Sequence, residues 1–497
     1  MHRRPAIAFA ALAIACSAGP AFGAGLGTYE NGSADIGRAS AGRAAAAEDA
    51  STAWGNPAGM VLLGRSAWAG GAYSIISDIK FDPDERTDID GGAGGNAGGL
   101  LPGLGSFYVH RVNDRLALGM SSVGLMGASI GYDSDWAGRY YSQEAMILVA
   151  SVTPSFSLKI NDWLSVGGGV SIGYGRVSSE MMLNNGGGLA EDIAGGLDNL
   201  QARLERIGDI IGGLPGWGGG WLPGGGGGRH GGILGKGGAL RDRLEDFAGD
   251  IDELDGVLED DGNFDDGLIE FSDDAWSVGG NFGILLQPHR AVRVGAVYRA
   301  PMEFTFKDTL RITDEGEFMK RLLDAIDCER IDMELTLRVP QEVMTSVVWE
   351  VTPAFALMGN VGWQNWEDIG DVKVRVDAVE DVNVSNELRM IDTWHFAIGA
   401  RIRPAQKWTA SVGWAYDTSA FELDARNPAL PVDRQIRYSG GIQYDWSEKT
   451  TIGVGYTAMD MGRNSIDLDN SPAYGHLSGA YDKAWAHFVN LSLVLRF

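Results

Sequence analysis

Cysteine is almost missing from this chain. Of 497 residues only Cys16 and Cys328 carry a thiol. Cys16 falls in an N-terminal leader, so the mature chain keeps one thiol and can build no internal disulfide. Cys328 sits among Asp327, Glu329 and Arg330 and reads as incidental rather than catalytic. Long hydrophobic runs are missing too. After the leader no stretch reaches eighteen consecutive apolar residues, which excludes a transmembrane helix but not spanning strands. Positive charge is short: 40 Lys and Arg against 66 Asp and Glu give a net −26, and −28 once Arg3 and Arg4 leave with the leader. That balance argues against nucleic acid as a partner. Catalytic patterns are absent as well. The seven His never pair at metal-ligand spacing, and no Gly-x-Ser-x-Gly elbow occurs. Gly167-Gly168-Gly169 fits neither a dinucleotide fingerprint nor a P-loop, and lies within a strand pattern where glycine thins the wall or permits a bend. The expectation is a protein that is not an enzyme, with no cofactor and no metal.

What is present is a leader and many strands. Residues 1–23 read as a signal peptide: Arg3 and Arg4, an apolar run from Ala6 to Ala15, then Ala21-Phe22-Gly23 at the cleavage positions. Cutting there makes Ala24 the mature start. No Leu stands three residues before Cys16, which argues against lipidation. An exported chain without a spanning helix is either a soluble β protein or an outer-membrane barrel. Fourteen strand candidates follow: 65–81, 104–113, 116–132, 141–160, 164–183, 275–288, 291–310, 332–352, 355–376, 388–404, 408–423, 433–446, 450–468 and 482–497.

The links between them separate the two classes. Those after the even-numbered candidates are short, such as Asn113-Asp114-Arg115, Asn161-Asp162-Trp163 and Ser447-Glu448-Lys449. Those after the odd ones are mostly longer and often acidic. Strict alternation of this kind is what a bacterial outer-membrane barrel shows, with tight periplasmic turns and larger external loops. An even strand count returns both termini to the periplasm. In 482–497, Trp485, His487, Val489, Leu491, Leu493, Leu495 and Phe497 share a face fit for lipid. Ala486, Phe488, Asn490, Ser492, Val494 and Arg496 share the other.

The stretch from Ala24 to Leu63 is different. It is rich in small residues and neither helical nor alternating. A plug enclosed by the barrel is one reading; a mobile N-terminus is the other. Ile36-Gly37-Arg38-Ala39 and Asn56-Pro57-Ala58, at the end of a Gly/Ala-rich segment between a leader and a barrel, resemble the N-terminal hatch of the FadL family. These are outer-membrane channels for long-chain fatty acids and aromatic hydrocarbons. The resemblance continues through Trp276–Leu285, Val297-Tyr298-Arg299-Ala300-Pro301, Val339-Pro340-Gln341, Trp363-Gln364-Asn365-Trp366 and Leu430–Arg434. Phe497 ending an alternating strand resembles the signal read by the barrel-assembly machinery. The fold this implies is all-β: a transmembrane antiparallel barrel of about fourteen strands (65–497) around a hatch (24–64).

Insertion 184–274 departs from the family in its glycine content. Leu189 to Ile211 and Leu240 to Leu258 carry apolar residues at steps of three and four, two amphipathic helices. Trp217 and Trp221 stand between them. A self-packed helical hairpin and an external collector for apolar solutes both remain open.

The resemblance also implies site residues. Leu26 reaches the interior pocket, and Asn56, Pro57 and Ala58 anchor the plug. Gly119, Gly124, Gly127 and Gly131 mark a wall opening, with ordinary barrel glycine as the alternative. Arg176 is the candidate for a fatty-acid carboxylate. A second basic position falls at Met390 or Ile391, near Arg389, which weakens the fatty-acid assignment. The expected function is passive uptake of hydrophobic compounds, long-chain fatty acids foremost, with lateral release through the wall. Neutral hydrocarbon uptake, a general porin and a surface adhesin are the alternatives. Expected partners are the hydrophobic ligand, outer-membrane lipids and lipopolysaccharide, for a monomer in the outer membrane of a Gram-negative bacterium. Acidic groups such as Asp82, Asp84 and Glu85 read as solvated loop charge, or as bridges to lipopolysaccharide through divalent ions.

Overall fold

The computed structural model describes residues 29, 31, 34–183, 266–313, 331–376, 384–387, 390–421, 426–468 and 475–497. The leader, Leu26, Cys328, Arg389 and the insertion carrying Trp217 and Trp221 lie outside them.

Strict inside–outside alternation dominates the chain from Ala67 onward, and a sheet of such strands must close on itself in lipid to pair its edges. The wall strands are β1 (Ala67–Pro83), β2 (Leu100–Arg111), β3 (Leu116–Gly131), β4 (Glu144–Lys159), β5 (Leu164–Leu183), β6 (Gly267–His289) and β7 (Val292–Arg299). A separate four-stranded sheet comprises β8 (Met302–Thr309), β10 (Ile331–Val339), β13 (Gly370–Val376) and β14 (Val384–Glu387), while β9 (Arg311–Thr313) pairs with β6. The wall resumes with β11 (Glu342–Thr352), β12 (Phe355–Gln364), β15 (Thr393–Ala405), β16 (Trp408–Asp417), β17 (Gln435–Ser447), β18 (Thr450–Asp460) and β20 (Leu477–Arg496). The short β19 (Asn464–Leu468) pairs with β20. The wall is thus a closed antiparallel barrel of 14 strands, sealed where β1 pairs with β20 from Ala67↔Arg496 to Pro83↔Gly479. Phe497 N donates to Ser66 O at 2.9 Å and fastens the seam at its end.

The outer face is apolar. On β20, Val489 and Leu491 are exposed while Phe488, Asn490 and Ser492 are buried, as the alternation requires. On β17, Tyr438 and Ile442 point out while Arg437 and Ser439 point in. Trp163, Trp349, Trp408 and Trp446 ring the short-turn end, and Tyr174, Trp276 and Trp394 the other, the two aromatic girdles of a membrane barrel. Among the described residues no helix is long and apolar enough to cross a membrane.

Four strand candidates prove to be composite. The 291–310 pattern breaks at Ala300-Pro301, 332–352 at Pro340-Gln341, 355–376 at residues 365–369, and 450–468 at residues 461–463. At the first two, a proline offers no N–H to a ladder and fixes its own φ, so the strand stops there. Beyond the first three breaks the chain turns inward. Cβ atoms on the lumen-facing Gly173, Gly175 and Gly279 would crowd Met302, Phe304 and Phe306 of β8. Phe304 pairs with Leu337 and Phe306 with Leu335, so one apolar face of the small sheet lies against the inside of β5 and β6. β6 starts at Gly267, earlier than the expected 275 and within the expected 184–274 insertion.

The N-terminal segment fills the lumen. It runs through a 3₁₀ turn (Ala34–Arg38), a short helix (Thr52–Gly55) and a 3₁₀ helix (Pro57–Leu62). Ala39, Ala41, Ala44, Ala45 and Ala46 are buried, because backbone meets backbone here. Added Cβ atoms on Gly413, Gly295, Gly283, Gly167 and Gly119 would overlap Arg38, Ala44, Asn56, Ala58 and Met60 respectively. Ala39, Ser40 and Ala47 have positive φ, a conformation L-residues hold only when their surroundings impose it. Asn360 supplies part of that: its Nδ2 donates to Ser40 O at 2.7 Å and its Oδ1 accepts from Gly42 N at 2.7 Å.

Charge adds a second attachment. Glu48 of the plug pairs with Arg38 at 2.7 Å and with Arg401 of β15, and Arg401 pairs with Glu350 of β11 at 2.6 Å. Burial pushes the Glu48 carboxyl up, but the Arg38 and Arg401 guanidiniums outweigh it and hold it at about 2. A carboxyl depressed in the folded state stabilises above its ordinary value of 4.5, and that contribution is lost as pH falls through about 2. Between about pH 7 and pH 5 the attachment should not weaken, whereas Glu48→Gln should loosen it throughout. Single-channel recording checks this: a wild-type conductance that rises from pH 7 to 5 would contradict it. Gly413→Val should displace the Arg38 turn at a cost of about 1–3 kcal/mol and raise ion leakage. A Gly413→Val barrel as tight as the wild type would remove the glycine seat from the account.

Candidate functional site

A cavity of about 60 Å³ lies between the plug and the inward-folded small sheet. Tyr29 and Trp54 come from the plug, Leu125 and Met126 from β3, Met302 and Val339 from the two proline bends, and Trp366 from the link after β12. The bends therefore serve as its roof.

Its charged groups are already paired, although Arg299 Nε is buried without a hydrogen-bond partner. Arg299, at the upper end of β7, pairs with Glu342 of β11 at 2.5 Å. Arg299 Nη2 donates to Trp54 O at 2.9 Å, and the guanidinium lies 4.4 Å above the Trp54 ring. Gln364 Nε2 donates to Glu342 at 3.1 Å. Arg43 Nη2 donates to Ser40 Oγ at 2.8 Å and to Tyr29 O. Tyr29 itself packs against His395, ring centres 4.3 Å apart, and His395 Nδ1 lies 2.8 Å from Asp417. Burial, then the nearby Asp417 and Glu342 charges, push the Tyr29 phenol well above its ordinary value, so it stays neutral. The lining offers hydrocarbon contact with internally compensated charge. Among the described residues no three His, Cys, Asp or Glu gather as a metal site.

One side of the pocket is the kinked strand. β3 carries an extra residue, Leu125, between Gly124↔Ala150 and Met126↔Val149, a bulge that turns both Leu125 and Met126 inward. Pairing of β2 with β3 stops at Ser106↔Ser122, although β1 continues alongside β2 to Ile76↔Leu100. Higher up, Gly131 N donates to Ala97 O at 3.0 Å. The wall between those two closures has no ladder. With its amide oriented to satisfy both neighbours, Asn31 donates to Gly124 O at 3.0 Å and accepts from Trp54 Nε1 at 3.0 Å, tying the plug to the bulge.

The sequence-based candidates fall in several places. Asn56 is fully buried; its Nδ2 donates to Ala44 O at 2.7 Å and to Ile284 O at 3.0 Å, and its Oδ1 accepts from Ala58 N at 3.0 Å. Pro57 opens the 3₁₀ helix, and Ala58 O accepts from Ser157 Oγ and Ser165 Oγ at 3.0 and 2.7 Å. Gly124 is at the bulge, Gly127 beside the unpaired stretch and Gly131 at its upper closure, while Gly119 lies lower, against Met60. Arg176 is a correction. Gly175 and Val177 face the lumen, so period-two alternation turns Arg176 to the exposed outer face, opposite Asp274, and away from the pocket. Met390 is buried outside the pocket lining, and Ile391 is exposed. Trp54, Arg43, Arg299, Glu342, Leu125 and Met126 were not singled out as lining. The one available signal was proline interrupting strand patterns at Pro301 and Pro340.

Residues 14–497 match the family model described as outer membrane protein transport protein (OMPP1/FadL/TodX). A long-chain fatty acid transport protein of Escherichia coli O6:H1 is 22% identical over 491 residues, 97% of each chain. Outer membrane protein P1 of Haemophilus influenzae is 22% identical over 465 residues, 90% of this chain and 88% of that one. Among solved structures, a Pseudomonas aeruginosa FadL homologue aligns with a TM-score of 0.73 at 20% identity, covering 95% of this chain and all (100%) of the other. The Ralstonia pickettii toluene transporter TbuX aligns at 0.59 and 17% identity, covering 95% and 99%. With a matching fold and a family model over nearly its whole length, the chain belongs to the OMPP1/FadL/TodX family of outer-membrane transport proteins.

Proposed function

We propose that the protein is a passive channel for hydrophobic compounds, with long-chain fatty acids as its leading substrates. The observation that carries this reading is the apolar cavity bordered by the unladdered stretch of wall between β2 and β3. A hydrocarbon chain entering it gains about 25 cal/mol per Å² removed from water. Leaving sideways into the bilayer avoids re-solvating that chain in the periplasm. In this reading Asn56, Pro57 and Ala58 anchor the plug, and Leu26 reaches the pocket. Trp217 and Trp221 make first contact outside.

A second reading, uptake of neutral hydrocarbons, is favoured by the charge arrangement. Arg299 is matched by Glu342, and Arg176 faces outward, so a carboxylate would have to compete for a paired guanidinium. The toluene transporter among the structural relatives is consistent with either.

Two measurements separate the outcomes. Leu125→Trp should fill the cavity and lower fatty-acid uptake into proteoliposomes by about tenfold or more, while the barrel keeps its heat resistance. Unchanged uptake would remove the pocket from the route. Glu342→Gln releases Arg299 from its counter-charge. Affinity for a long-chain fatty acid should then rise about tenfold, with alkane affinity unchanged, if the carboxylate docks here. No change in either would favour neutral substrates.

A further inference from the structure

The unladdered stretch of wall is not empty. Tyr73 of β1 faces the lumen, and its cross-strand partner on the same face is Gly103 of β2. A Cβ on Gly103 would overlap the Tyr73 ring, so the phenol lies flat across β2 where glycine leaves room. Its hydroxyl comes within 3.2 Å of the Cβ position of Gly124, on the far side of the gap. One storey up, the Leu101 side chain comes within 3.3 Å of the Cβ position of Gly127. Behind this pair, the outward Leu100 and Leu104 of β2 are 68% and 74% exposed. Pro102 also belongs here, since a strand tolerates proline where no neighbour needs its N–H. The two sides are therefore held together by side chains, while backbone pairing closes the frame below at Ser106↔Ser122 and above at Gly131.

We infer that Tyr73 is the leaf of this window and sets the cross-section of what passes through it. The inference rests on the lateral-release reading and deepens it. A phenol pivoting about χ1 and χ2 breaks no ladder hydrogen bond, so the window opens without unzipping the wall. The opening it leaves is bounded by Gly103, Gly124 and Gly127, three residues that add no side-chain bulk. A slender acyl chain passes with a partial swing of the ring; a branched or polycyclic solute needs the ring fully displaced. Tyr73 acts on the width of the exit, not on affinity in the cavity, whose lining does not include it.

The test compares uptake of a straight-chain and a polycyclic hydrophobic probe into proteoliposomes, together with equilibrium binding of both in detergent. Tyr73→Ala should raise polycyclic relative to straight-chain uptake by about tenfold, the scale set by one or two methylenes of fit, while leaving both affinities unchanged. Tyr73→Trp should lower the ratio, and Tyr73→Phe, which keeps the ring, should leave it closer to the wild type than Ala does. A ratio unmoved in both the Ala and Trp variants overturns the inference, and so does a ratio that moves only together with affinity. A Leu101→Cys/Gly127→Cys pair, joined by a disulfide, tests the underlying route. If the locked protein loses uptake while the Tyr73 variants keep the wild-type ratio, lateral release stands and the leaf falls. If the locked protein transports normally, both fall. Where Tyr73→Ala fails to assemble, the Trp and Phe variants still decide.

Discussion

Backbone pressed on backbone is the contact from which this molecule's behaviour follows. The plug is built from small residues and the wall beneath it from glycine, so the two approach more closely than side chains would permit. Gly413, Gly295, Gly283, Gly167 and Gly119 belong to different strands around the circumference, and each gives up its side-chain volume to the same insert. Such a seat resists sliding: Gly413, Gly295 and Gly167 meet main chain of the plug, while Gly283 and Gly119 meet the Asn56 and Met60 side chains. The buried Asn56 and Asn360 amides then fix orientation, and the Arg38–Glu48–Arg401–Glu350 series adds an electrostatic clamp. Removing one partner from such a series leaves another charge poorly compensated, which is why the arrangement is rigid rather than merely crowded.

A fixed plug leaves adjustment to other parts of the lining. The gap beside β3 is the part of the wall there that no backbone ladder crosses. The roof differs from both. It is a sheet of its own, swung inward at two prolines and applied by an apolar face to glycines of β5 and β6. The pocket is thus walled by one fixed body, one folded-in sheet and one stretch of open edge, and only the last lies next to the lipid.

Much of this was legible in the residues. Alternation in 482–497 and 433–446 assigns inner and outer faces correctly because a strand's period of two leaves no freedom once one face meets lipid. Short links alternating with long ones give the strand count and the orientation. Ile36-Gly37-Arg38-Ala39 and Asn56-Pro57-Ala58 drew notice to the N-terminal segment, whose residues there are mostly buried against the wall strands. What was not legible depends on where strands end and in which register they continue. Arg176 is different: its parity was present locally, since it shares a face with the exposed Val170, Ile172 and Tyr174. The small sheet was hidden because β8 and β10 alternate as regularly as wall strands. Only Pro301 and Pro340 betray that they leave it. The Arg299–Glu342 pair joins residues from separate strands and has no signature in either.

The glycine seat also bears on what keeps the insert in shape. The turn at Ala39 and Ser40 has positive φ and is held by Asn360 of β12, a conformation that persists where its surroundings impose it. Such a turn relaxes once those surroundings withdraw, so the cork keeps its form only while the bottle grips it.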